Sequence, residues 1–256
     1  MMRRRLISVF ACLVAAGTAG TAVAQPPAAP ARSGREAAVI DLTGQWVAIV
    51  NEDWRWRMIT PAKGDYESVQ TLNAAGRAAA DRWDESQDGS CKAYGAGGLL
   101  RMPTRVRIDW ADDDTLRLRS DAGNQTRMLH FDAPPPANTP NTLQGYSVAH
   151  WAPSLPPPGR PDPARAQIPP MQIGGSLEVT TTNLSEGWLR RNGVPYSDQT
   201  VLSEYFDRFD TPDGAQWFVV TTIVEDPIYH NGRYITSSHF RRETDRSGWN
   251  QTACSE

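Results

Sequence analysis

Cysteine is scarce in this 256-residue chain, histidine is nearly so, and no apolar run beyond the first 24 residues is long enough to span a bilayer. Three Cys and four scattered His, at 130, 150, 230 and 239, show none of the spacings that hold a metal ion, so no metal site is expected. The glycine-rich stretch Gly95-Ala96-Gly97-Gly98 lacks both the G-x-G-x-x-G and the Walker patterns, which argues against a phosphate cradle or dinucleotide cofactor. No nucleophile elbow supports Ser-His-Asp catalysis. The formal charge of −3 excludes the basic balance of a nucleic-acid binder.

What is present begins with M-M-R-R-R-L-I-S-V-F-A-C-L-V-A-A, a basic start and a short apolar stretch leading to Ala22-Val23-Ala24. This predicts a secretory signal peptide over 1–24 and a periplasmic or secreted protein with no integral membrane segment after cleavage. Arg3-Arg4-Arg5-Leu6-Ile7 partly resembles a twin-arginine export signal, with ordinary export as the alternative. Cleavage removes three arginines and no acid, moving the formal charge to −6. The two cysteines left, Cys91 and Cys254, then sit in an oxidising compartment, which predicts a disulfide between them; two unrelated buried thiols are the alternative. Residues 25–38, rich in Pro and Ala, read as a disordered tether, and 39–256 as a single domain.

Within that domain the repeating signal is alternation. Thr43 to Thr60 reads as one long first strand, with Trp46, Ala48, Val50, Glu52, Trp54, Trp56 and Met58 on one face. Leu72 to Trp83 is the one credible helix, with Asn73 as its N-cap. Strands then follow over 105–110, 115–119 and 126–131, separated by the turns Asp112-Asp113-Asp114 and Gly123-Asn124. The acidic turn lacks the spacing of a calcium loop. Residues 133–174 form a proline-rich excursion around a short strand-like run over 145–151, either covering an edge or the mouth of the sheet or loosely ordered. Alternation returns over 176–182, 200–209, 217–224 and 234–240, the last pair joined through Asn231-Gly232. About eight to ten locally joined strands predict an all-β, up-and-down antiparallel barrel, lipocalin-like in kind, with a two-sheet sandwich as the alternative.

Gly44-Gln45-Trp46 resembles the G-x-W opening of lipocalins, in which the tryptophan plugs the closed end of the barrel. That resemblance implies a basic residue packed over Trp46, here Arg241 or Arg242. Over nearly its whole length after the leader, the chain also resembles an exported bacterial family of undefined function. The segments E-D-W-R-W-R-M, P-x-K-G-D-Y, C-K-A-Y-G, N-G-V-P-Y-S, E-Y-F-D-R and V-V-T-T-I-V-E-D-P carry it. It implies export and a single domain, and supplies no activity.

Two functional readings follow. Nine tryptophans are enough for some to line a cavity, so the chain is expected to bind a small apolar or aromatic molecule, with Trp46, Trp54, Trp56, Tyr205 and Trp217 as ligand-binding candidates. The alternative is a cofactor-independent hydrolase, lyase or isomerase. A carboxylate held among tryptophans has a raised pKa, which suits Glu52 and Glu225 to general acid-base work beside His239 or His150, with Tyr205 or Tyr66 as donors. Both acidic strand ends meet at one rim only if the first strand and the strand over 217–224 run in the same direction. A third class, a surface module using the proline-rich excursion to meet a partner, has the least support.

Overall fold

Strand pairing closes on itself in this structure, a computed structural model that describes residues 32–49, 61–87, 91–154 and 174–254. The first four strands are β1 (Gly44–Ile49), β2 (Arg105–Trp110), β3 (Thr115–Ser120) and β4 (Thr126–Phe131). After them come β5 (Tyr146–Pro153), β6 (Gly175–Thr182), and the two-residue strands β7 (Gly187–Trp188) and β8 (Pro195–Tyr196). The last three, β9 (Val201–Asp210), β10 (Gln216–Glu225) and β11 (Tyr234–Glu243), form the longest hairpins. The ring runs β1-β11-β10-β9-β6-β5-β4-β3-β2 and back to β1, while β7 and β8 pair apart from it.

The expected closed barrel is therefore present, with one difference in direction. Nine strands cannot alternate all the way round a ring, so one neighbouring pair must be parallel. That pair is β4 and β5, with Leu129 opposite Ser147. A parallel neighbour needs a crossover, and residues 132–145, rich in proline, make it. The excursion expected over 133–174 thus contains a full barrel strand, since β5 also pairs along eight residues with β6. That strand is the short strand-like run expected over 145–151, with Ser147 and Ala149 facing inward. Residues 155–173 lie outside the described residues.

Helix α1 (Ala74–Arg82) matches the expected helix, and the Asn73 side chain accepts from the Gly76 N–H at 2.9 Å as its cap. A short helix α2 (Ala96–Leu99) follows Cys91, which is disulfide-bonded to Cys254 with a Cα–Cα separation of 5.0 Å. Part of the expected tether is already packed: from Ser33 the chain turns onto the closed end of the barrel. Gly34 N donates to Asp114 Oδ1 at 2.6 Å, Arg35 pairs with Asp113 at 3.2 Å, and Trp151 Nε1 donates to the Gly34 carbonyl at 2.6 Å. The triple-Asp turn anchors this segment, a tertiary role that composition does not reveal. A Cβ on Gly34 would fall 2.5 Å from the Phe131 ring, so the close approach requires glycine.

Candidate functional site

Inward side chains divide the barrel interior into three levels. At the end where β1 begins, Trp46 meets Phe218 edge-on at 5.0 Å, Phe218 stacks on Phe240 at 4.6 Å, and Phe206 packs beside them. Trp46 is fully buried, and its Nε1 donates to the Leu42 carbonyl at 2.8 Å. The Arg242 guanidinium lies 5.7 Å over its ring. Of the two arginines considered for that place, Arg242 occupies it. At the opposite end Leu202, Val224 and Tyr234 join Tyr66, Val69, Leu72 and Tyr196 from the segments that cover the rim. Leu99 and Leu100, at the end of α2, reach into the main core cluster.

Between these apolar levels lies a polar one. Ser120, Arg127, Ser147, Thr181, Glu204, Thr222 and Ser238 are all buried there. Arg127 and Glu204 form an ion pair whose side chains are 1% and 0% exposed. Arg127 Nη1 donates to Glu204 Oε1 at 3.1 Å, and Nη2 donates to the other carboxylate oxygen. The same guanidinium donates to Ser147 Oγ at 3.0 Å and to Thr181 Oγ1 at 2.6 Å, and the two hydroxyls are 2.8 Å apart. Four consecutive strands, β4, β5, β6 and β9, supply these groups, so the network runs along one wall of the lumen. The guanidinium and the carboxylate meet through two hydrogen bonds, so removing either side chain would leave the other buried without its partner.

The residues singled out from sequence fall in different places. β1 and β10 both run antiparallel to β11, so they share a direction toward one rim; β1 is described as far as Ile49, level with Val219 of β10. Glu52, Trp54 and Trp56 lie outside the described residues. Glu225 ends β10 at that rim on the outer face, paired with Arg233 at 2.8 Å. Trp217 and Tyr205 also face outward, since Phe218 and Val220 on β10 and Phe206 and Glu204 on β9 are the buried positions. Neither side chain therefore lines the lumen. Both faces of β10 carry bulky groups, so hydrophobicity alone does not say which one turns inward.

His239 lies on the outer face of β11 between Val219 and Ile49. His150 is exposed, with Nε2 2.9 Å from Glu178 Oε2. Tyr66 is buried and donates to Asp81 Oδ1 at 3.0 Å; burial raises its pKa, opposed by a hydrogen bond with the Gly64 backbone.

Asp226, next to Glu225, is a turn clasp. It accepts from Thr200 Oγ1 at 2.6 Å and from the Ile228 and Tyr229 N–H groups at 2.8 and 2.7 Å, and it also accepts from the Ser197 N–H. Burial pushes its pKa up, but these hydrogen bonds outweigh burial and leave the carboxyl below its ordinary value. His230 bridges Thr71 Oγ1 at 2.9 Å and the Pro195 carbonyl at 3.2 Å, and burial lowers its pKa. The second contact makes Nε2 the protonated nitrogen, and a Thr71 hydroxyl donating to Nδ1 then completes the neutral ring.

Reading by sequence missed Arg127 and Glu204. A signal was present: Arg127 alternates in step with Leu129 and Phe131, and Glu204 with Leu202 and Phe206. A charge in line with an apolar face marks a polar group aimed inward. Among the described residues no cluster of His, Cys, Asp and Glu could hold a metal ion, and no helix is long and apolar enough to cross a membrane.

Fold and site together define a closed all-β barrel with an ion pair built into its lumen wall. No family model, curated protein or solved structure matches the chain.

Proposed function

We propose that this chain is an exported, lipocalin-like barrel that binds a small, largely apolar or aromatic molecule carrying one polar group. The observation that supports this reading is the polar level itself. Small hydroxyl side chains and one ion pair face the lumen there, with apolar levels on either side. Replacing a buried ion pair by apolar groups of the same size is often neutral or stabilising. A pair kept in the lumen therefore favours recognition over stability as its role. The apolar part of the ligand then packs toward the rim residues, and its polar group meets the Ser147, Thr181, Arg127 and Glu204 network. Glu52, Trp54 and Trp56 stay in the proposal on sequence grounds, as does export by the leader peptide.

Native mass spectrometry of protein taken from its own compartment tests the proposal. A stoichiometric small molecule, released on denaturation, is the expected result. It should be lost in the volume-matched Arg127→Met/Glu204→Leu double variant while that variant stays folded. An empty protein that also shows no thermal shift with a panel of lipids, aromatics and sugars overturns the reading.

A further inference from the structure

A second concave site lies outside the lumen, beyond the plugged end of the barrel. It is a groove of about 700 Å³ that includes Gln45, Gln216, Arg241, Arg242 and Arg246 in its lining. Two carboxylates share the lining, Glu243 and Asp245, and both are engaged. Glu243 accepts from Arg105 Nε at 3.0 and 3.1 Å and from Gln45 Nε2 at 2.6 Å. Asp245 accepts from the Ser247 hydroxyl and N–H at 2.7 and 2.9 Å, and these bonds lower its pKa. Among the described residues no carboxylate forms an ion pair with Arg241, Arg242 or Arg246. Three arginines thus line one groove whose two carboxylates are held by other donors, and Asp213 lies near enough to Arg241 for that charge to help lower the Asp213 pKa, after the hydrogen bonds from Thr211 and Ala215.

Arg242 is also aimed. Its Nη1 donates to Gln216 Oε1 at 2.6 Å and its Cζ lies 5.7 Å over the Trp46 ring, while Nε and Nη2 make no hydrogen bond among the described residues. Gly44, at φ +127°, gives it room: a Cβ there would lie 3.0 Å from Arg242 Nε. Behind the groove, Arg107 holds Gln45 Oε1 at 2.8 Å and stacks 4.2 Å over Trp249. Burial first, then the like charges of Arg246 and Arg119, lower its pKa against the opposing charge of Asp121.

We propose that this groove binds a small molecule bearing a multiply charged oxyanion, a phosphate monoester or a compact polycarboxylate. Arg242 supplies a positioned fork and Arg241 and Arg246 supply charge. A guanidinium fork matches the oxygen spacing of phosphate and carboxylate, and a partner fixed in advance loses less entropy on binding. The site is separate from the lumen, since the Trp46, Phe218 and Phe240 stack stands between them.

Calorimetric titration of the purified protein with citrate, inorganic phosphate and phenyl phosphate at low ionic strength tests this, alongside flotation with phosphatidic acid vesicles. At least one free anion should bind at a single site. Binding should weaken about tenfold or more in the Arg241→Gln/Arg246→Gln double variant, and should weaken with added salt. Both arginines sit outside the core, so the variant should keep the wild-type unfolding midpoint. Binding to the vesicles alone, lost in the same variant, keeps the oxyanion chemistry and assigns it to a lipid headgroup. No binding to any probe, or binding that the double variant leaves unchanged, overturns the proposal.

Discussion

Arg127 on β4 and Glu204 on β9 are 77 residues apart in the chain, yet they form a two-point ion pair sealed inside the barrel. Two intervening strands contribute the hydroxyls of Ser147 and Thr181 to the same guanidinium. The pair is tied to barrel closure, because it exists only when β4, β5, β6 and β9 are in register.

Breaking one side of that pair should cost far more than removing both. Glu204→Leu leaves a buried guanidinium uncompensated, and a loss of about 3–5 kcal/mol is expected. The Arg127→Met/Glu204→Leu variant should lie within about 2 kcal/mol of wild type, in either direction. Urea unfolding of the two variants and wild type decides it; equal losses in both variants would mean that the pair is not a buried unit.

Reduction of the Cys91–Cys254 bond should destabilise the fold by about 2–5 kcal/mol, because the bridge closes a loop of 163 residues in the unfolded chain. The expected readout is a lower unfolding midpoint in reducing buffer. Cys91→Ser/Cys254→Ser should show the same lowered midpoint with or without reductant.

Acid should weaken the fold in two windows. His230 and His130 both have pKa values lowered by burial from the ordinary 6.5, so the unfolded chain binds their protons more readily. Their contribution is complete above about pH 6.5 and is lost as pH falls toward the lowered values. Asp226 acts lower down: its depressed pKa gives stability that is present above the ordinary 3.8 and lost below it. Unfolding midpoints measured against pH should fall from neutral toward pH 5, and His130→Gln/His230→Gln should flatten that first slope.

Gly44→Ala should cost about 1–3 kcal/mol, because the backbone there has a φ of +127° and the added Cβ would lie 3.0 Å from Arg242 Nε. Scanning calorimetry reads the loss. A change in Trp46 fluorescence should accompany it, since the displaced guanidinium is the one over that ring.

Much of the fold was legible. The alternating runs over 105–110, 115–119, 126–131 and 217–224 all became strands, and Asn73 capped the expected helix. The bond between Cys91 and Cys254 is the one expected from the sequence. The parallel step at β4 and β5 was not legible, because it follows from ring parity, a property of nine strands together. Nor was the inward face of β10, where Trp217 and Phe218 are both bulky. Of the site, Arg127 and Glu204 could have been found by the rule that drew attention to Glu52 and Glu225, a charge in line with apolar neighbours. The partnership between them could not.

By itself the sequence determined what is local: where strands alternate and where turns and the helix cap fall. These depend on neighbours within a few positions, whose spacing and side-chain chemistry set the backbone preference. Only the tertiary structure decided which face of each strand looks inward, and that Arg127 meets Glu204. It also decided that Arg241, Arg242 and Arg246 gather in one groove while nearby acids are engaged elsewhere. Those relationships depend on barrel closure, which sets the inward face of all nine strands at once and brings distant charges within hydrogen-bonding reach.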